Sequence, residues 1–506
     1  MPGLLRYALL AAALLYFLQL LLLVPFRVAY PYDLEWMEGA FVDHVRRVLS
    51  GQPLYVNPSF EFTPLIYPPL YFYLSALVSG LLGEGYLPLR LLTSIASLGC
   101  FALLYRLARR ETGSAYYGAI SAALYAACYG ISGGWFDLAR LDSLLIFLLL
   151  AGFYLLRFYP SATGACLAGA VLALASLTKQ TALVVTAPLL LCLFYLRGVR
   201  IGLCFTGTYG VLLGGATAAL HLSSQGWFTY YTFILPGQHP FFTPMLLLYW
   251  TRDLFLPLPV ALLLVSCLVF FRLRRGQGLR NHGCDPLLLQ LTFLGAMLLV
   301  SWLGRLHIGG GTNAVLPAYA ALALFFGMGL QSAFSALAGD PGRGERRYRD
   351  KAAQLLLYAA AIFQLGWLAY DRTDYLPTSE DAQAGERFVR ALSSIEGELY
   401  APDHGYLPSL AGKQDRAHVS ALWSIWAGKE GRIKRELNAE ITAALRERRF
   451  AAIVIAAPAL TYPPFMKMIE KYYRRKRALL EADRVYRPVD FRRLGIRLQS
   501  HLYLPR

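Results

Sequence analysis

A succession of about eleven long apolar runs, separated by short polar or basic stretches, constrains this chain more than any other feature. The runs fall at roughly 4–25, 88–107, 114–132, 141–157, 162–178, 181–196, 200–221, 246–271, 286–304, 313–336 and 351–369. A helix of about 20 residues crosses the roughly 30 Å of bilayer hydrocarbon, so each run is a candidate span. Of the 506 residues 57% are apolar and only 16% charged, and the mean hydropathy is +0.44, outside the range of ordinary soluble domains. The expected fold class is a polytopic α-helical membrane protein. The first run exceeds a signal peptide's apolar region and lacks a small-x-small cleavage site, so it is expected to remain as an anchor helix.

A formal charge of +17 invites a nucleic-acid reading. Most of the basic residues, however, lie in short loops between apolar runs or in one C-terminal block, and topology accounts for them. The segment 68–82 decides the orientation. It is near the lower length limit for a span and is bounded by Pro68-Pro69 and Gly83-Glu84-Gly85. If it is re-entrant or interfacial, the cytoplasmic loops carry Arg106, Arg109 and Arg110, then Arg157, then Arg197 and Arg200, then Arg272, Arg274, Arg275 and Arg280, then Arg343, Arg346, Arg347, Arg349 and Lys351. That alternation places the N-terminus in the cytoplasm and the loop 26–87 outside, with everything after about residue 370 also outside.

Two modules follow, a membrane module over 1–370 and an extracytoplasmic α/β domain over 371–506, where composition becomes charged and soluble. In the second, 386–395 and 432–449 read as helices, 398–401 and 451–457 as strands, and 464–480 as a basic helix. The seven cysteines all precede it. Their spacing forms neither a disulfide framework nor a metal cluster, and the C-terminal domain needs no oxidising machinery.

The acidic stretch lies just beyond the first run. Tyr30-Pro31-Tyr32-Asp33-Leu34-Glu35-Trp36-Met37-Glu38-Gly39 places three carboxylates where a helix leaves the bilayer, a costly position that usually marks chemistry or transport. Leu34, Met37, Phe41, Val45 and Val48 recur at helical spacing, and Ser50-Gly51-Gln52-Pro53 supplies a stop, which predicts an amphipathic interfacial helix. At about 100° per residue Glu38 projects beside the apolar stripe, turned toward protein or lipid.

On these residues the chain resembles the GT-C superfamily of integral-membrane glycosyltransferases that use polyprenyl-phosphate sugars. The branch it resembles most holds protein O-mannosyltransferases and lipid A aminoarabinose transferases. The matching features are the acidic loop (Asp33, Glu35, Glu38, Gly39), the Pro68-Pro69-Leu70-Tyr71 turn into a short apolar helix, and Arg90 opening the next span. Arg140-Leu141-Asp142 and Lys179-Gln180-Thr181 at external helix ends complete them. The likeness covers roughly 1–340, by order and pattern. It implies an external active site and an inverting transfer. That branch usually carries an adjacent Asp-Glu pair, whereas here Met37 precedes Glu38, so Glu35, Glu38 and Asp33 each stand as candidates for the base.

Moving a sugar from a polyprenyl phosphate to a hydroxyl needs a base for the acceptor proton and cations for the leaving phosphate. Phosphate leaves without a strong acid, so the paired carboxyls of a glycoside hydrolase are unnecessary. Arg140 and Lys179 are the expected phosphate contacts, with Asp142 orienting acceptor or arginine. Gln180, Tyr67, Arg305, His307 and Asn313 complete the expected substrate-binding set, the last three flanking the run Gly309-Gly310-Gly311, whose amides can bind an anion. Against these stand plain readings: salt bridges for Glu35 and Glu38, a pinned helix end for Arg140 and Asp142, a snorkelling Lys179 and an ordinary glycine loop.

The scattered histidines lack metal spacing such as His-Glu-x-x-His, and a carboxylate-bound divalent cation is compatible with the loop. The expected partners are a polyprenyl-phosphate sugar donor, a glycan, lipid or protein acceptor, and membrane lipids, with no nucleic acid. A prokaryotic cytoplasmic membrane is the expected location. The competing class is a transporter or lipid flippase, which predicts mid-span ionisable groups and repeated halves. The ionisable groups instead cluster at one surface.

Overall fold

A computed structural model describes residues 2–274, 286–337, 344–456, 462–480, 489 and 499–506. The expected loop residues Arg275, Arg280 and Arg343 lie outside them.

The membrane module is helical, but about eleven spans is not what it contains. Among the described residues six helices are long and apolar enough to cross a bilayer: Gly3–Ala29, Tyr86–Thr112, Ala182–Ser223, Leu287–Leu306, Thr312–Leu337 and Asp350–Asp374. A seventh is possible if Met245–Phe255 and Pro259–Arg272, bent by 94°, form one broken span. Three of the expected runs give helices shorter than any of these six. The run at 114–132 yields a 13-residue helix, Ala115–Ala127, and those at 141–157 and 162–178 yield 17-residue helices, Asp142–Phe158 and Ala162–Thr178. The runs at 181–196 and 200–221 lie on either side of Gly198 within Ala182–Ser223, where the backbone leaves the helical conformation (φ 76°).

The helix Leu316–Leu337 is the hub. It is almost wholly buried and packs on Ala115–Ala127, Tyr86–Thr112, Pro259–Arg274 and Pro286–Leu306. Its small residues permit the close approaches that membrane packing relies on: a Cβ on Gly327 or Gly329 would meet the Tyr117 or Leu264 carbonyl at 2.6 Å.

The external loop forms the expected amphipathic helix with Phe41, Val42 and Val45 buried, but it spans Glu38–Leu49, so Leu34 and Glu35 precede it. The segment after Pro68-Pro69 forms the helix Leu70–Leu82, whose 13 residues rise only about 20 Å. Gly83 and Gly85, both at positive φ, make the turn that sends the chain into Tyr86–Thr112.

The C-terminal domain holds a mixed sheet of β1 (Leu399–Tyr400), β2 (Ala452–Ile455), β3 (Tyr473–Ala478) and β4 (His501–Pro505), in the order β1-β2-β4-β3. The pair β1–β2 is parallel, and β4 runs antiparallel to both its neighbours. The expected basic helix over 464–480 is corrected here: it ends at Tyr472, and the arginine-rich remainder becomes β3 by pairing with the distant β4. Flanking helices Ser379–Ser393 and Arg432–Arg446 bury one face each, the first opened by a capping box of Thr378 and Asp381.

This domain seats directly on the external loop. Phe60 packs between Tyr400 and Phe450 at ring distances of 4.4 and 5.1 Å, and its carbonyl accepts from the Ala417 amide at 3.1 Å. Gly39 and Gly405 touch backbone to backbone: a Cβ on Gly39 would lie 2.7 Å from the Tyr406 nitrogen. Only residues without side chains fit there.

Candidate active site

Where the external loop, the helix ends and the C-terminal domain meet, a cavity of about 560 Å³ opens, a volume typical of small-molecule sites. Glu35 and Tyr67 reach it from the loop, Arg140 and Asp142 from the start of Asp142–Phe158, and Lys179 and Gln180 from the break after Ala162–Thr178. His307 and Asn313 reach it from either side of the glycine run. Eight of the eleven expected site residues thus line one space, despite spanning 279 positions of sequence from Glu35 to Asn313 counted inclusively.

The three loop carboxylates part company here. Glu38 is fully buried and does not line the cavity. Arg90 holds both its oxygens, Nε donating at 3.0 Å and Nη2 at 2.6 Å. The amides of Ala139, Leu34 and Glu35 add bonds at 2.6, 2.7 and 3.3 Å. Burial alone would raise its pKa, but Arg90 and these donors outweigh that and hold it below the usual glutamate value. Asp33 lies behind, accepting from the Tyr86 hydroxyl, and burial pushes its pKa up to about 8.

Glu35 lines the cavity. It accepts a single bond from Arg140 Nη1 at 3.1 Å and another from the Met37 amide at 3.2 Å. Burial raises its pKa to about 7 even against the arginine, the range suited to a general base. The Arg140 guanidinium sits over the rings of Phe41 and Trp135, 4.8 Å from each centroid. Across the cavity Lys179 Nζ donates to Asp142 Oδ1 at 2.8 Å, and Asn313 Nδ2 donates to the same oxygen at 3.1 Å. Lys179 also lies 6.0 Å from the Tyr67 ring. Gln180 anchors the loop by donating to the Ile66 carbonyl at 3.0 Å.

Arg305 is not part of the lining. Its Nε binds Asp253 at 2.7 Å and its Nη1 the Gly310 carbonyl, so it braces the glycine turn from behind. Within that turn the Gly309 amide donates to His307 Nδ1 at 3.2 Å and the Gly310 amide to the His307 carbonyl at 2.7 Å, which commits two of the three glycine amides.

The C-terminal domain supplies a wall that no sequence pattern marks: Ser420, Trp423 and Ser424 of the helix Val419–Ala427, beside Trp36 and Trp135. It also fixes a histidine relay. The Ser424 carbonyl can only accept, so His239 donates through Nε2 at 2.8 Å and its Nδ1 accepts from His307 Nε2 at 2.8 Å. His307 Nδ1 is then the acceptor that the Gly309 amide requires. Burial lowers both pKa values, that of His307 to about 4, in keeping with a neutral relay. Among the described residues no group of three or more His, Cys, Asp or Glu side chains is placed to hold a metal ion.

No curated protein matches the chain in sequence. Residues 67–227 match the family described as dolichyl-phosphate-mannose-protein mannosyltransferase, a stretch that includes Tyr67, Arg90, Arg140, Asp142, Lys179 and Gln180. Among solved structures the chain is similar to ArnT from Cupriavidus metallidurans bound to undecaprenyl phosphate, with 13% identity over 98% of this chain and 97% of that one and a TM-score of 0.57. The same protein in the apo state gives 13%, the same coverages and 0.55. The Archaeoglobus fulgidus oligosaccharyltransferase tethered with an acceptor peptide is similar at 12% identity over 92% of this chain and 72% of that one, with a TM-score of 0.54. The likeness extends over the helical module and the C-terminal domain together, and it shows that the chain shares the fold of these proteins.

Proposed function

We propose that the protein is an inverting glycosyltransferase that moves a sugar from a polyprenyl-phosphate carrier to an acceptor hydroxyl. The observation that carries this reading is the convergence of Glu35 with Arg140 and Lys179 on one cavity at the helix ends. Glu35 takes the proton of the acceptor hydroxyl, and the oxygen attacks the anomeric carbon. The bond from that carbon to the phosphate oxygen breaks with its electron pair on the phosphate, which Arg140 and Lys179 stabilise. One in-line displacement inverts the anomeric centre. Glu38 holds the loop by clamping Arg90, and Asp142 holds Lys179 beside the cavity in the empty site.

The cavity lies on the extracytoplasmic face in this reading. Arg90 and Asp142 stand at the cavity ends of their helices, whereas Arg109, Arg110 and Arg157 stand at the opposite ends, about 22–30 Å away at 1.5 Å per residue. Arg197 and Arg200 flank the Gly198 bend at the same remote level. That distribution is the one expected of cytoplasmic ends, and it supports reading the C-terminal domain as extracytoplasmic.

The test is sugar transfer by the full-length protein in membranes, with E35Q as the decisive variant. Removing the base is expected to lower kcat by about 10²–10⁴-fold while the protein still folds. Transfer by E35Q at the wild-type rate would overturn the assignment.

A further inference from the structure

Among the described residues the cavity lining contains two carboxylates, Glu35 and Asp142, and two cations, Arg140 and Lys179, and each cation already faces a carboxylate. An incoming phosphate therefore meets a balanced lining in which both cations are committed. The two pairs are nevertheless incomplete. Arg140 gives Glu35 one bond only, and its Nε is buried without a hydrogen-bond partner; the Oδ2 of Asp142 is buried without one as well. Glu38 shows what a completed pair looks like in the same loop, with both oxygens taken by Arg90 and three amides added. A buried ion pair has to recover the cost of desolvating both charges, and one with unused donors recovers it only in part.

We propose that Arg140 and Lys179 exchange their carboxylate partners for the donor phosphate, so that binding of the donor itself frees Glu35 to act as base. The inference rests on the transferase reading of this site and adds its regulation. Phe41 and Trp135 hold the Arg140 guanidinium by their faces whichever anion it addresses. A phosphate also satisfies more of the arginine fork than one glutamate oxygen does. Losing the arginine leaves Glu35 buried with a weaker hold on its charge, and hence a stronger base. In the empty enzyme the same contact keeps the base occupied, which protects the site from unproductive proton transfer.

The consequence is counterintuitive: removing a negative charge that the chemistry requires should improve donor binding. Equilibrium binding of undecaprenyl phosphate to the full-length protein in nanodiscs tests it, using wild type, E35Q, R140Q and the double variant. E35Q is expected to tighten binding roughly tenfold and R140Q to weaken it by a similar factor, close to the lower limit of measured charge-pair couplings. In the R140Q background, E35Q should then have no effect. D142N is expected to tighten binding through Lys179 in the same way, and it carries the test if E35Q protein does not accumulate. Unchanged or weaker binding in the carboxylate variants overturns the exchange, as does tightening by E35Q that persists without Arg140. The two claims fail separately. Inactive E35Q that binds no more tightly removes the exchange and leaves the base assignment standing, whereas active E35Q removes the base assignment whatever its affinity.

Discussion

Two acid–arginine pairs lie three residues apart on the same loop and are built to opposite ends. Glu38 and Arg90 share two bonds, are wholly buried and are surrounded by backbone donors. Arg90 also donates to the carbonyls of Arg27, Tyr30 and Tyr32, so the pair ties the first helix, the loop and the helix Tyr86–Thr112 into one knot. Glu35 and Arg140 share one bond and face an open cavity. The difference teaches that a buried charge near a membrane surface is not by itself a reactive one. A carboxylate with every lone pair satisfied is scaffolding, and one left partly unsatisfied beside a cavity is available for chemistry.

The comparison can be broken most forcefully at the knot. R90A strands Glu38 as an uncompensated buried charge, which is expected to cost about 3–5 kcal/mol of stability; thermal unfolding in detergent and the yield of folded protein measure it. R140A, at the open pair, should leave folding far less affected and act on donor binding instead. A smaller effect sharpens the other side. Glu35, raised to about 7, is protonated below that pH and loses its capacity as base, so transfer should fall about tenfold per pH unit on the acid side. If the donor draws Arg140 away, the acid limb of kcat lies at higher pH than that of kcat/KM, because the first reports the donor-bound enzyme. The smallest expected effect concerns the relay behind Lys179. H307Q keeps the donor to His239, while H307N keeps the acceptor for the Gly309 amide. Each loses one bond worth about 1 kcal/mol, a change of roughly fivefold in KM for the donor.

The site is more legible in the sequence than the fold around it. Charges beside apolar runs are conspicuous, so Glu35, Arg140, Asp142 and Lys179 are visible at the external helix ends, but Asp33 and Glu38 are equally so, and Asn313 enters only through the neighbouring glycine run. Hydropathy does not show where a helix breaks off, so the run containing Ala115–Ala127 looks long enough to span, whereas the separation of the runs at 181–196 and 200–221 matches the non-helical backbone at Gly198. Nor does a local pattern reveal long-range pairing: Arg474 and Arg475 read as helical until β4 pairs with them. Trp423 and Ser424 carry no signal at all, because their role depends on how the C-terminal domain seats through Gly39 and Gly405. Glu38 and Glu35 are alike as sequence, and only their hydrogen-bond partners separate them.

Transfer rate per folded molecule, compared between E35Q and E38Q with folded protein quantified in the same samples, tests the central claim most directly. The account predicts that folded E35Q has lost at least about a hundredfold in kcat, while the folded fraction of E38Q, though smaller, turns over within a few-fold of wild type. Well-folded E38Q that is inactive, alongside active E35Q, would contradict it.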